Sequence, residues 1–238
     1  MEVLLRLEGV SKRFGGVVAI DGFSLQLNEG EILGIMGPNG AGKTTLLNVI
    51  SGELKPDSGK VWFRGKDITS CPPHKVVKAG ISRTYQIPQP FVKLTCLQNV
   101  AVPLIYVKGL PKKKALEEAE KVLDFVGFWK GKGDCAGDLD EISLKRLELA
   151  RALATAPKLL LVDEIAAGLT EREIPELLEI LRRIHGEMGV TLMIIEHVIR
   201  VLTSIAHRVV VMDRGKKIFE GKPSEALCDK AVIEAYLG

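Results

Sequence analysis

Residues Gly37-Pro38-Asn39-Gly40-Ala41-Gly42-Lys43-Thr44 match the pattern G-x-x-x-x-G-K-[ST]. The apolar run Glu31-Ile32-Leu33-Gly34-Ile35-Met36 before them reads as a buried strand, and Thr44 to Ile50 after them reads as a helix. Few architectures accept a strand that passes through a tight glycine loop straight into a helix. Glycines let backbone N–H groups converge on a small volume, and the helix start adds its own amides, so the loop is built for an anion. Lys43 supplies a point charge suited to β- and γ-phosphates, and the Thr44 hydroxyl can ligate Mg²⁺.

The rest of the chain supports an α/β fold with a parallel sheet. Leu159-Leu160-Leu161-Val162 is a second buried strand and ends in Asp163-Glu164. A helix over about 173–187 follows it, and then a third apolar strand, Thr191-Leu192-Met193-Ile194-Ile195, ending in Glu196-His197. Ligand sites in such sheets lie at the carboxyl ends of the strands. An acid there can hold Mg²⁺, and its neighbour can orient and deprotonate a water; an imidazole can reach a γ-phosphate. Solvated turn acids and a structural histidine are the bland alternatives. His74, His185 and His207 are read as structural.

Two other regions have their own texture. The first thirty residues alternate as an antiparallel strand pair turning near Arg13-Phe14-Gly15-Gly16, and Phe23, Leu25 and Leu27 face inward on the later strand. Lys55-Pro56-Asp57-Ser58-Gly59 is a turn into the strand Val61-Trp62-Phe63, and Asp213-Arg214-Gly215-Lys216 is a hairpin turn. From about 88 to 153 helices replace strands. The clearest starts at Pro111 and runs to Val126, with Leu116, Ala119, Val122, Leu123 and Val126 as its apolar stripe and Glu117–Lys121 as an i,i+4 pair. The three lysines at 112–114 read as a solvated face.

Composition narrows the field. A chain of 238 residues, 46% hydrophobic and 26% charged, reads as soluble and globular, and a net charge of +3 does not argue for nucleic acid. No apolar run approaches the ~18–20 residues needed to cross a bilayer. The chain opens directly on an alternating strand, so no signal peptide is expected. Cys71, Cys96, Cys135 and Cys228 lack zinc or redox spacing and read as reduced thiols.

The phosphate loop, Asp163-Glu164 and His197, in this order and spacing, resemble the ATP-binding subunits of ABC transporters along essentially the whole chain. The resemblance implies a P-loop NTPase of ABC type: a mixed sheet core with an antiparallel β subdomain (1–87 and 154–238) and a helical subdomain (about 88–153), all in a single ATP-binding domain. It implies ATP and Mg²⁺ as ligands. Nucleotide would be held by Phe14, which matches the adenine-stacking aromatic, and by Gly37, Asn39, Gly40, Ala41, Gly42, Lys43, Thr44 and Thr45. Thr44, Gln86 and Asp163 would serve the metal. Glu164 would act as general base, with His197 and Gln86 assisting catalysis. The implied partners are separate transmembrane permease subunits and a second ATPase subunit, identical or different, at the cytoplasmic face of the membrane, with no nucleic acid. Arg83-Thr84-Tyr85-Gln86, Ala167-Gly168-Leu169 and the terminal Val232-Ile233-Glu234-Ala235-Tyr236-Leu237-Gly238 look like the branched-chain amino-acid uptake branch. A slow nucleotide-dependent binding switch and the ATPase of a lipid-type exporter are the alternative readings; an ABC ATPase acting on nucleic acid is disfavoured by the absence of a basic stripe.

The sequence departs from the family in three places. Ile165 replaces the proline after the catalytic glutamate, and Thr170 stands where the dimer-crossing loop commonly ends in aspartate. The signature Leu-Ser-Gly-Gly-Gln, which closes over the opposite subunit's ATP, is here Leu139-Asp140-Glu141-Ile142-Ser143. If Asp140 points inward, its carboxylate about 4 Å from a phosphate costs about 4 kcal/mol at an effective dielectric near 20. If Asp140 caps the following helix, it satisfies amides instead. A shifted register would put Ser143 at the phosphate. The departure suggests an asymmetric dimer in which this chain keeps its own ATP site and offers its partner's a poor lid.

Overall fold

The computed structural model describes residues 2–128, 131–197 and 199–237. They form two compact units, Met1–Ala79 with Thr191–Gly238, and Gly80–Val190. The first unit opens with β1 (Val3–Phe14), β2 (Val17–Asn28), β3 (Ile32–Met36), α1 (Lys43–Ile50), β4 (Ser58–Phe63), β5 (Lys66–Asp67) and α2 (Pro73–Ala79). The second unit contributes β6 (Ile81–Arg83), α3 (Cys96–Tyr106), α4 (Lys112–Phe125), α5 (Glu141–Leu153), β7 (Leu159–Asp163) and α6 (Glu173–Met188). The chain returns to the first unit with β8 (Thr191–Ile195), α7 (Ile199–Ile205), β9 (Arg208–Asp213), β10 (Lys216–Gly221), α8 (Pro223–Ala226) and α9 (Lys230–Leu237). Gly238, the last residue of the terminal motif, lies outside the described residues.

In the first unit β1 pairs antiparallel with β2 and β4, and β5 extends that sheet. The turn closes where Phe14 faces Val17. One face is buried, which is why Phe23, Leu25 and Leu27 alternate with polar neighbours. A second, mixed sheet has β3 between β8 and β9, parallel to both, with β10 antiparallel to β9. Every residue of β3 and β8 is buried. Strands covered on both faces read as unbroken apolar runs, and here they do. His207 ties this sheet together, its Nδ1 accepting from the Ile32 amide at 3.2 Å.

In the second unit β6 and β7 run parallel, Arg83 opposite Leu161. All five residues of β7 are buried. Thr95 and Gln98 form a reciprocal capping box that starts α3. On α4 the inward stripe is Ala115, Ala119, Leu123 and Val126, while Leu116 and Val122 are half-buried. Ala119, Leu123 and Val126 thus lie where the periodicity puts them, with Leu116 and Val122 at the margins of the stripe and Ala115 added to it. Lys121 pairs with Glu118 at 2.8 Å rather than with Glu117. Both spacings are within reach on a helix, and the i,i+3 geometry is the one taken. Lys112, Lys113 and Lys114 are exposed. His185 Nδ1 lies 3.1 Å from the Val190 carbonyl, a local tie at the end of α6. The four cysteine thiols are free. Among the described residues no helix is long and apolar enough to cross a membrane.

Candidate functional site

β3 delivers the chain to the glycine loop. Gly37 has φ +146°, and a Cβ there would lie 2.1 Å from the Met212 carbonyl oxygen. Gly42 has φ +100°, and a Cβ there would lie 2.1 Å from the Ala19 carbonyl oxygen. Both positions demand glycine by conformation and by space. β9 and β2 thus press the loop from two directions. α1 then begins with no side chain capping its first turn and no acid in it, which leaves the positive end of the helix for a ligand.

Lys43 is 5% exposed, and its Nζ donates to the carbonyls of Gly37 at 2.7 Å and Pro38 at 3.0 Å. The ammonium is folded back over the loop. Asn39, Gly40 and Thr44 are exposed, Thr45 is half-buried and Ala41 is buried. Phe14 stands at the β1–β2 turn with its ring half exposed, the Lys12 ammonium 5.7 Å from its centre. The register Ile35 opposite Ile195 shows that the loop and His197 leave neighbouring parallel strands at the same end of the sheet. The His197 side chain is exposed there, and Glu196 beside it is buried.

The second unit builds the acidic strand end. Asp163 closes β7 and is 1% exposed; Glu164 follows with φ +47°, a left-handed conformation unusual for a side chain of this kind. The segment after β6 docks on this corner bond by bond. Thr84 N–H donates to the Leu161 carbonyl at 2.9 Å, and the Asp163 N–H donates to Thr84 Oγ1 at 3.3 Å. Arg83 Nη2 meets Asp163 Oδ2 at 2.8 Å, both side chains almost wholly buried. Gln86 Nε2 donates to Glu164 Oε2 at 2.6 Å. Gln86, Asp163 and Glu164, chosen from the sequence, are brought together.

Several partners of this corner escaped the sequence reading. Glu148 on α5 is 5% exposed and receives the backbone N–H groups of Tyr85 and Gln89, on either side of Gln86. Arg151 bonds Glu148 at 2.8 Å and the Gln89 carbonyl at 2.7 Å. Burial pushes the Glu148 carboxyl above its usual range despite Arg151 and the two amides. The only signal in the sequence is a charged pair embedded in the apolar run Leu147–Leu153. Lys145, also buried, donates to the Ala167 carbonyl in the loop after Glu164 and lies 3.4 Å from Glu141.

The altered signature is explained by a cap. Asp140 Oδ1 accepts from the Ser143 N–H at 2.7 Å, so Asp140 is the N-cap of α5. That amide holds its carboxyl below the usual range. Glu141 occupies the first turn, where the helix dipole favours an acid.

The profile of the ABC transporter family matches residues 20–167. The chain belongs to that family. A second profile, that of the branched-chain amino acid ATP-binding cassette transporter, matches residues 216–238 of the cassette. The cassette is 37% identical to a probable branched-chain amino acid transport ATP-binding protein, LivG, of Methanocaldococcus jannaschii, over 99% of this chain and 97% of that one. It is 32% identical to the high-affinity branched-chain amino acid transport ATP-binding protein BraF of Pseudomonas aeruginosa, over 99% and 98%. A nucleotide-free ATP-binding cassette from an ABC transporter superposes with a TM-score of 0.87 at 35% identity, over 99% of both chains. The dimeric structure of a cassette bound to ADP and phosphate gives 0.85 at 26%, over 92% and 99%. The cassette therefore has the α/β fold of ABC ATPases, and it is an ATPase subunit of a transporter.

Proposed function

We propose that this cassette hydrolyses ATP to power the uptake of branched-chain amino acids through separate permease subunits at the cytoplasmic face of the membrane. The observation that carries the substrate class is the match of residues 216–238 to the branched-chain profile, added to relatives of that name along 99% of the chain. The domain reading is a single ATP-binding domain whose helical section, about 88–153, contacts the permeases. Ile87, Phe91, Val92 and Tyr106, large apolar side chains exposed on the second unit, support that contact.

The reaction is ATP and water to ADP and phosphate. Phe14 stacks on adenine. Backbone amides between Asn39 and Thr45 cradle the phosphates, Gly37 shapes the entry to the loop, and Lys43 exchanges its carbonyl partners for phosphate oxygens. Glu164 takes the proton of the attacking water while the Gln86 amide fixes its carboxylate. His197 faces the γ-phosphate. Thr44, Gln86 and Asp163 are hard oxygen donors of the kind Mg²⁺ takes, and Arg83 keeps the Asp163 carboxylate compensated in the protein itself. Magnesium, when bound, neutralises charge on the β- and γ-phosphates.

The cap at Asp140 favours a heterodimer. The amide of Ser143 is already engaged by the Asp140 carboxylate, so it is not offered to a partner's phosphate. The second ATPase subunit then carries an intact signature, and only the ATP held on this chain's loop turns over efficiently. The test is leucine uptake and ATP hydrolysis in proteoliposomes holding the permeases, this chain and its partner ATPase. Uptake lost with Lys43→Ala is expected. Uptake of a lipid instead of leucine, or full ATPase activity from this chain alone, contradicts the substrate class and the asymmetry respectively.

A further inference from the structure

The amide of Gly37 donates to the hydroxyl of Tyr236 at 2.9 Å, 199 positions away. Gly37 is the first residue past the ladders of β3, whose pairs with β8 and β9 end at Ile35 and Met36. Its carbonyl accepts from Lys43 at 2.7 Å. The same glycine is thus held on its N–H side by the C-terminal helix and on its C=O side by the phosphate-binding lysine. A Cβ at this glycine would lie 2.1 Å from the Met212 carbonyl oxygen of β9, so no larger residue fits there.

Tyr236 is poorly placed to serve the core. It is 40% exposed, and of α9 only Val232 is buried, while Ile233 and Leu237 are exposed. What distinguishes Tyr236 is where its hydroxyl goes. We propose that Tyr236 is a positioning residue of the nucleotide site, fixing the first peptide of the phosphate loop so that its amides and Lys43 are preset for phosphates. The C-terminal helix thereby becomes a part of the site, and the state of the loop is felt at α9. This inference rests on the reading of the loop as the ATP site.

The test is calorimetric titration of the full chain and of its Tyr236→Phe variant with ADP and Mg²⁺. Loss of one neutral hydrogen bond lowers affinity by about two- to tenfold. KM for ATP rises by the same factor with kcat unchanged, as expected for binding shared by ground and transition states. Hydrogen exchange of the wild-type chain is expected to slow over 230–237 on adding ADP. Equal affinity in the two proteins overturns the proposal, as does a lower melting temperature with unchanged affinity, or exchange over 230–237 indifferent to ADP. A wild-type chain that binds no ADP removes the nucleotide-site reading as well, which separates the two failures.

Discussion

The Gln86 side-chain amide and the Glu164 carboxylate meet at 2.6 Å, one strand apart at the carboxyl ends of a parallel pair. Burial of Glu164 and its left-handed backbone restrict where its carboxylate can point, and Gln86 completes the restriction. The segment that carries Gln86 leads on to α3 and is clamped by Glu148 and Arg151 of α5. The proposed base is thus mechanically joined to the helices proposed to face the permeases.

Removing the Gln86 amide should loosen the base without unfolding the cassette. For Gln86→Ala, kcat is expected to fall about tenfold or more, the scale of one hydrogen bond to a charged group. Gln86→Glu should be worse at neutral pH, because two ionised carboxylates at that distance repel and displace the base, and activity should recover in part as one of them is protonated at lower pH. Steady-state kinetics across pH checks both.

Asp140→Ala removes the cap of α5 and is expected to cost about 0.5–2 kcal/mol of stability, whereas Asp140→Asn or Asp140→Ser should cost little. The Asp140 carboxyl sits below its usual range, so its contribution is complete above about pH 4 and fades as the pH falls through the depressed value. Asp140→Asn should lose that acid sensitivity in denaturant titrations. If the carboxylate is what spoils the partner's half-site, Asp140→Ser should also raise ATP turnover by this chain alone.

Glu148 has the opposite pH signature. Its folded carboxyl is raised, so the native state binds its proton more tightly than the unfolded chain does, and ionising it above about pH 4.5 costs stability. The stability of the wild type relative to Glu148→Gln is therefore expected to decline as pH rises through that window. The same variant should weaken the hold on the Tyr85 and Gln89 amides and lower kcat. Urea melts at several pH values, paired with kinetics, measure the two effects separately.

What the sequence makes legible follows from periodicity and local motif. β3, β7 and β8 announce themselves because strands buried on both faces must be apolar throughout. Asp163-Glu164 stands out as the first polarity after such a run. The register of a helix face is harder. Ala115 and Leu116, or Glu117 and Glu118, differ by one step, and packing decides which is used. Long-range partners leave no local trace. Arg83 reaches Asp163 across 80 positions and Gly37 reaches Tyr236 across 199. Whether Asp140 turns inward or caps its helix is a single side-chain torsion, and the Ser143 amide settles it toward the cap.

The central claim is that Glu164 activates water against an ATP held by the Gly37–Thr44 loop. The direct measurement is ATP binding and single-turnover hydrolysis by the wild-type and Glu164→Gln cassettes, each assembled with its partner ATPase. The account predicts undiminished ATP binding and hydrolysis slowed by about 10²–10⁴, the contribution of a positioned base. Hydrolysis by Glu164→Gln at the wild-type rate contradicts it.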